Sequence, residues 1–551
     1  MHPRFPAGAT AAVRPACGRR PADDHRVNGR CLGGGDPGYL GAPHLPCRVL
    51  SPGGSPLLHP TPTPVLRGGT RAPAAALRLS LDTVRTLPPQ VARPTYDVGS
   101  LRAGVVHLGV GAFHRAHQAV YLDRLAELGH RDWGVRGIGL RSNSHREELA
   151  AQDHLYTVVE LGAGEPRARV VGVLRDYLPA GGAAETAAAV AALADPLTRL
   201  VTLTVTAPTY ACATSAPGAP STAFELVARA LQVRRRAGRP PFTVLSCDNL
   251  PGNGAAARRC VVEAAEALDP RLALWIEQHV AFPSSMADRI TPPTAPEHRR
   301  MLRQDLGVHD RAPVVTEPFS RWIVQDSFVG DAPPLAEAGV DLVTDVRPHV
   351  EAKMRLLNAG HVALGFLGAA TRHGTTDEAM ADPATGTLVE RMLADEVCPL
   401  LDPVPGLHLP SYLGEVLDRL RNPAIADPLG RLRRRGSVRV RNYVLPSLER
   451  AVLEGRPHAL LTDVVAAWVD QLRRAALALE EGRARSADLA DELADPALAD
   501  LLGPASRAAH DVRPFLAAAA GFERLATRPT FVAALQRAVT DREVGARAAA
   551  S

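Results

Sequence analysis

The 551-residue sequence predicts an α/β fold in two parts, a doubly wound parallel sheet followed by a mostly α-helical substrate domain. Three observations carry that expectation. Short apolar runs alternate with helical periods from about residue 104 to about residue 250. A glycine turn, "GVG" at 109–111, separates the first run from the first helix. After about residue 350 strand signals fade and long helical patterns take over. The expected limits are a low-complexity tail over 1–75, a Rossmann-like dinucleotide-binding domain over 76–340 and a helical substrate and catalytic domain over 341–551.

The tail holds 13 Pro and 12 Gly, no Lys and no Glu, with no stretch of strand or helical period, and is expected to be disordered. Nine Arg against three Asp give it a charge of +6, so the formal +5 of the whole chain leaves −1 for residues 76–551. The basic character therefore belongs to the tail. Without aromatic interleaving or a motif there, a nucleic-acid partner is not expected. A true start near Leu77 would make these residues a product of the chosen initiation site.

Regular text begins with "GVVHLGVG" at 104–111, a strand, and continues with "AFHRAHQAVYLDRLAEL", whose apolar residues recur at helical spacing. "DWGVRGIGLR" is the second strand, which completes a β-α-β unit. "RLVTLTVTAP" at 199–208 and "PFTVLSCDN" at 241–249 are further strands. An Ala-rich helix near 183–195 and "AFELVARALQVRRRAG" at 223–238 lie around them, an alternation that implies a parallel sheet covered on both faces. Later helical patterns fall at 350–370, 384–398, 411–420, 443–455, 461–482 and 506–526.

Seven cysteines are scattered without a C-x-x-C pair, which suggests neither a disulfide framework nor a thiolate metal site. No charged-then-apolar leader and no apolar run of about 18 residues is present, so a soluble, cytoplasmic protein with no membrane partner is expected, acting as a monomer.

The glycine turn is placed for a dinucleotide. Gly109 and Gly111 follow a strand and precede a helix whose N-terminal amides can face a pyrophosphate, with Phe113 and Arg115 just beyond as further cofactor contacts. The third glycine of the usual pattern is His114, and Arg115 is expected to bring a charge to the phosphates instead. His114 and His117 have i, i+3 spacing, but no third ligand is apparent, so packing or capping is the expected use and no metal is assigned. After the second strand, where a carboxylate usually reads the ribose, stands "LRSNSHR": Asn143 and Ser144 are neutral, with Arg141 and Arg146 nearby. NAD is the expected cofactor, with NADP admissible.

Lys353 is the only lysine in a chain with 62 arginines. Arginine stays protonated at any biological pH, whereas a buried lysine can release and regain a proton, so the one retained amine is a candidate general base. On an α-helix at about 100° per residue, Asn358 lies about 140° from Lys353 and His361 about 80° from it, so all three fit one broad face. Asn249, in "SCDNLPGNG", follows a strand that ends at the carboxyl edge of the sheet, where ligands bind in such folds.

With "HLGVGAFHRAHQAVYLD", "FTVLSCDNLPGNG", "AFPSSMADRITP", "VTEPFSRW" and "KMRLLNAGHVALGFLG" in order, the chain resembles the mannitol dehydrogenase family of polyol-specific long-chain dehydrogenases and reductases over roughly residues 78–545. The resemblance implies a Rossmann domain followed by a largely helical domain. It implies catalytic roles for Lys353, Asn358 and His361 and for Asn249, and substrate contacts from Asp288, Arg431 and Arg439. Three positions depart from the family: Arg439 where lysine is frequent, "TAPTY" at 206–210, and Val350 where a carboxylate precedes the catalytic lysine, which leaves neighbouring Glu351 as an alternative proton route.

The chemistry that follows is hydride transfer from a secondary carbinol while neutral Lys353 takes the hydroxyl proton. Asn249 and Asn358 donate to the developing alkoxide, and His361 orients the substrate oxygen or the lysine. A polyol and ketose pair of mannitol and fructose type is expected first. A uronate pair is favoured by the cations of "RLRRRGSVRVR" at 431–441, and a sugar phosphate such as mannitol 1-phosphate by the same charge. A non-catalytic dinucleotide-binding regulator is the reading from another class.

Overall fold

Five short strands, Val105–Leu108, Val135–Gly139, Leu174–Pro179, Leu200–Leu203 and Thr243–Ser246, form the central sheet of the computed structural model. The structure describes residues 76–140, 144–211, 222–368 and 373–550. All strand pairs are parallel, and the spatial order is third, second, first, fourth, fifth. Nearly every residue of the inner strands is buried, which is why they are continuous apolar runs rather than alternating ones.

Alternate side chains face two cores. Val106, Leu108, Ile138, Val201, Leu203 and Val244 pack under helices Ala183–Ala194, Ala223–Arg236 and Asn253–Glu266. Val105, Val135, Leu200 and Leu245 point the other way, into the core shared with helix Gln118–Glu127. Local chemistry sets the helix starts. Thr222 Oγ1 accepts from the Glu225 amide at 3.1 Å while the Glu225 carboxylate accepts from the Thr222 amide at 2.7 Å, a reciprocal cap that opens helix Ala223–Arg236.

Three smaller sheets were not apparent in the apolar pattern, the smallest being the parallel pair Leu77–Arg78 and Val308–His309; the other two are larger. One joins Val314–Thr316, Tyr156–Glu160, Arg167–Val171 and Val91–Ala92; the other joins Ser285–Asp288, Arg321–Gln325 and Asp341–Val343. The second matters for function, because strand Ser285–Asp288 lies beside the lysine. Beyond Val343 the described residues form helices and turns, apart from two isolated bridges. The α/β class with a mostly helical second half is thus as the sequence predicts.

The helices differ in detail from the periodic reading. The 350–370 pattern is helix Arg347–Lys353, a π turn Met354–Asn358 and helix Ala359–Leu367. Two further π turns, Met392–Val397 and Val440–Val444, lie just before Pro399 and Pro446. A proline has no N–H to give to the carbonyl four residues back and its ring crowds that carbonyl, so the preceding turn widens. The 506–526 pattern is not one helix. Arg513–Ala518 and Glu523–Ala526 are separated by Gly521, whose φ of +97° is left-handed, and Pro514 stands in the first turn of the former. Among the described residues no helix is long and apolar enough to cross a membrane.

Candidate active site

The strand order reverses between Val105–Leu108 and Leu200–Leu203, and Gly109 sits at the carboxyl end of that crevice, where a doubly wound sheet binds its ligand. Gly109 has φ +97°, and a Cβ on it would lie 2.4 Å from the Thr204 carbonyl oxygen, so both conformation and crowding demand glycine. Gly111 is different. A Cβ there would meet only the Gly109 carbonyl oxygen, at 3.8 Å, so its missing side chain keeps space open in front of helix Ala112–Ala116. An open cradle beside backbone amides at the sheet edge fits a dinucleotide pyrophosphate. Phe113 stands at the same turn, half-buried and stacked on His117 with ring centroids 5.1 Å apart.

Arg115 does not serve the phosphates. It is 2% exposed, its guanidinium donates to the Ala312 carbonyl and lies 5.5 Å from the Tyr156 ring centre. The helix carries it on its core face, and its charge braces the sheet that contains Tyr156–Glu160, which differs from the cofactor contact expected of it. His114 packs: its ring stacks on His107 with centroids 3.4 Å apart, and burial holds both imidazoles neutral, His107 at about 3. Asn143, with Arg141, lies outside the described residues.

The "SCDNLPGN" loop is tied down by its other polar residues. Asp248 accepts from the amides of Thr206 and Val205 at 2.7 and 3.2 Å and from the Tyr210 hydroxyl at 2.7 Å. Asn253 Nδ2 donates to the carbonyls of Asp248 and Ser285 at 3.1 and 2.8 Å, and its Oδ1 accepts from the Ser285 amide at 3.0 Å, which links the loop to strand Ser285–Asp288. Asn249 is left exposed at the tip.

Lys353 closes on the same two segments. It is 8% exposed; its Nζ donates to the Ala287 carbonyl at 2.6 Å and to Asn249 Oδ1 at 3.4 Å. Burial lowers its pKa below the ordinary lysine range. Asp288 resists that shift, Arg419 adds to it and Glu317 resists it. The π turn corrects the helical-wheel placement of Asn358. Bonds of i to i+5 span Met354–Asn358, so Asn358 comes above Lys353 one wide turn on, closer in azimuth than the α-helical angle predicts. Asn358 is half-buried, with Nδ2 3.7 Å from the Met354 sulfur. His361 is buried, and burial pushes it down to about 4, with Asp427, Arg431, Arg419 and Arg439 in electrostatic reach.

Asp288 is used differently from the substrate contact expected of it. It is 1% exposed, and its oxygens accept from Arg419 Nη2 and Nη1 at 2.9 and 3.0 Å and from the Tyr412 hydroxyl at 3.3 Å. Burial opposes its charge, but Arg419 and then Lys353 prevail and hold it at about 2. Arg431 is ion-paired with buried Asp427, Nε to Oδ1 being 2.7 Å. Arg439 donates Nε to the Arg434 carbonyl at 2.9 Å, and among the described residues no carboxylate pairs with it. Glu351 is exposed and paired with Arg355 at 2.6 Å, away from the lysine.

Sequence reasoning missed four residues here: Arg419, Glu317, Tyr412 and Tyr443. A signal for Arg419 existed. It shares the apolar face of helix Leu409–Leu420 with Tyr412, Leu413, Val416 and Leu420, and an arginine at core spacing requires buried acceptors. Tyr443 carried none; its hydroxyl accepts from Asn249 Nδ2 at 3.2 Å.

The profile described as the mannitol dehydrogenase Rossmann domain matches residues 103–337, and that of the mannitol dehydrogenase C-terminal domain matches 345–542. The chain belongs to the mannitol dehydrogenase family. It is accordingly an oxidoreductase of CH–OH groups. Mannitol 2-dehydrogenase of Cereibacter sphaeroides is 42% identical over 396 residues, 69% of this chain and 82% of the relative. The polyol:NADP oxidoreductase of Gluconobacter oxydans is 37% identical over 72% of this chain and 85% of its own length. The ternary complex of Pseudomonas fluorescens mannitol 2-dehydrogenase with NAD and D-mannitol superposes with a TM-score of 0.74 at 36% identity, covering 84% of this chain and 96% of that one.

Proposed function

We propose that this family member is an NAD-dependent polyol dehydrogenase that interconverts a sugar alcohol of mannitol type and its ketose, with Lys353 as general base. The bound dinucleotide supplies the hydride acceptor. Gly109, Gly111 and Phe113 form its site in the domain over 76–340, and the substrate domain over 341–551 brings the base.

One observation carries the reading. An ammonium has three N–H donors and no lone pair; a neutral amine has two donors and one lone pair. Buried Lys353 has two neutral acceptors, the Ala287 carbonyl and Asn249 Oδ1, which satisfy the two hydrogens of the neutral amine and leave a third direction for its lone pair. That lone pair takes the proton of the substrate hydroxyl as the hydride departs. Asn358, one wide turn above, and the free amide hydrogen of Asn249 donate to the oxygen as it gains negative charge. His361, kept neutral by burial, orients that oxygen, and Arg431 and Arg439 hold the far end of the substrate. The proposed base needs no metal.

A second reading, reduction of a keto acid of the uronate type, draws on Arg439, whose charge has no carboxylate partner among the described residues. One assay separates them: NADH and NADPH absorbance is followed with D-mannitol, fructose, fructuronate, tagaturonate and fructose 6-phosphate. Turnover of mannitol and fructose with NAD is expected. Preference for the uronates moves the reading to the second, and dinucleotide binding without any turnover defeats both.

A further inference from the structure

Asn249 is the exposed member of the proposed catalytic set, and it holds two jobs that need a fixed amide. Its Oδ1 accepts one hydrogen of the Lys353 amine, and its Nδ2 has to donate toward the reacting oxygen. The bond to Lys353 is 3.4 Å long, at the weak end of the hydrogen-bond range, and does not by itself hold an exposed amide in place. The shorter bond, 3.2 Å, runs from Nδ2 to the Tyr443 hydroxyl.

We propose that Tyr443 is a positioning residue of this site, a hydroxyl that locks the Asn249 amide plane between the lysine and the substrate pocket. The inference rests on the general-base reading above. A phenol hydroxyl accepts from one end of an amide or donates to the other, so Tyr443 fixes the plane rather than choosing the ends. Lys353 sets the ends, because its ammonium form can only donate and therefore faces Oδ1. Were the amide to turn over, Nδ2 would donate into the lone pair of the neutral amine and leave no base.

Tyr443 is suited to the task by its placement. It lies on the π turn Val440–Val444, where Val440 and Val444 are buried and Pro446 follows, and its ring packs half-buried against the main core. This π turn touches the one that carries Asn358, so the two wide turns face each other across the site. Burial raises the phenol pKa above its ordinary value, which keeps the hydroxyl protonated, and Arg439, four residues earlier, opposes that shift. The tyrosine ring has few rotamers, so an amide held by it enters the reaction already ordered.

The test is a double-mutant cycle with Tyr443→Phe, which removes only the hydroxyl, and Asn249→Ala, on the full chain with NAD and D-mannitol. Tyr443→Phe is expected to lower kcat about tenfold, the scale of one lost hydrogen bond, with melting temperature and NAD dissociation constant unchanged. In the Asn249→Ala background the same change should have no further effect, because a residue that acts through Asn249 has nothing left to position. An equal loss in both backgrounds, or no loss in the parent chain, overturns the proposal while the base reading stands. A lowered melting temperature with additive losses assigns Tyr443 to packing and also overturns it. A parent chain with no turnover on any substrate takes down the base reading and this inference together.

Discussion

Two buried cations lie close to Asp288, and the fold treats them in opposite ways. Arg419 donates four charge-assisted hydrogen bonds to Asp288 and Glu317, at 2.8 to 3.0 Å, and stacks 4.0 Å from the Phe319 ring centre. Burial works against its charge, the two carboxylates overcome it, and the guanidinium stays protonated well above the ordinary range. Among the described residues Lys353 has only a carbonyl and an amide within bonding distance, and burial dominates its balance downward. Full compensation fixes a charge, and partial compensation leaves a group able to change it. Arg419 also holds Asp288, so the carboxylate that acts most strongly on the lysine is already committed elsewhere. Glu317 is held less completely, since burial keeps its carboxyl above the ordinary range despite Arg419.

The contrast breaks most sharply at Lys353→Arg, which keeps the charge and removes the ability to lose it. A loss of about 10²–10⁴ in kcat is expected, measured by NADH formation at fixed pH, with dinucleotide binding retained. Near-parental turnover would show that the base lies elsewhere. Next in size is Arg419→Met, which leaves two carboxylates buried without their partner. Urea unfolding should show a loss of about 3–5 kcal/mol, and a loss under 1 kcal/mol would mean that the buried cluster is not held as described.

The smallest effect sharpens the comparison through pH. On the proposed mechanism polyol oxidation needs the neutral amine, so its rate should rise with pH through the Lys353 pKa, earlier than an ordinary lysine would allow; ketose reduction needs the ammonium and should fall over the same interval. Asp288 favours the protonated lysine. Asp288→Asn should therefore move the rise in oxidation to lower pH, read from kcat profiles of the two proteins, and a move to higher pH would refute the assigned electrostatics.

Much of the proposed site is legible in the sequence. Lys353, Asn249, Asn358 and the glycine turn stood out because rare residue types and a strand-turn-helix pattern are local signals. The remainder depends on partners far along the chain. Asp288 and Arg419 are 131 residues apart, Asn249 and Tyr443 194, and Arg115 and Ala312 197, and no local period reports such closures. The π turns were hidden for another reason: apolar spacing is scored against one fixed helical angle, and a single widened turn shifts a side chain without altering the pattern on either side.

By itself the sequence determined the alternation of buried strands and helices, the glycine turn between the first strand and the first helix, and the one lysine able to lose a proton, because these follow from residue type and spacing. Only the tertiary structure decided what surrounds that amine. Which of its neighbours are charged, which charges are already compensated and which hydroxyl steadies Asn249 follow from segments that meet when the two halves pack together. The proton affinity of a buried group is a property of that meeting and not of the residue alone.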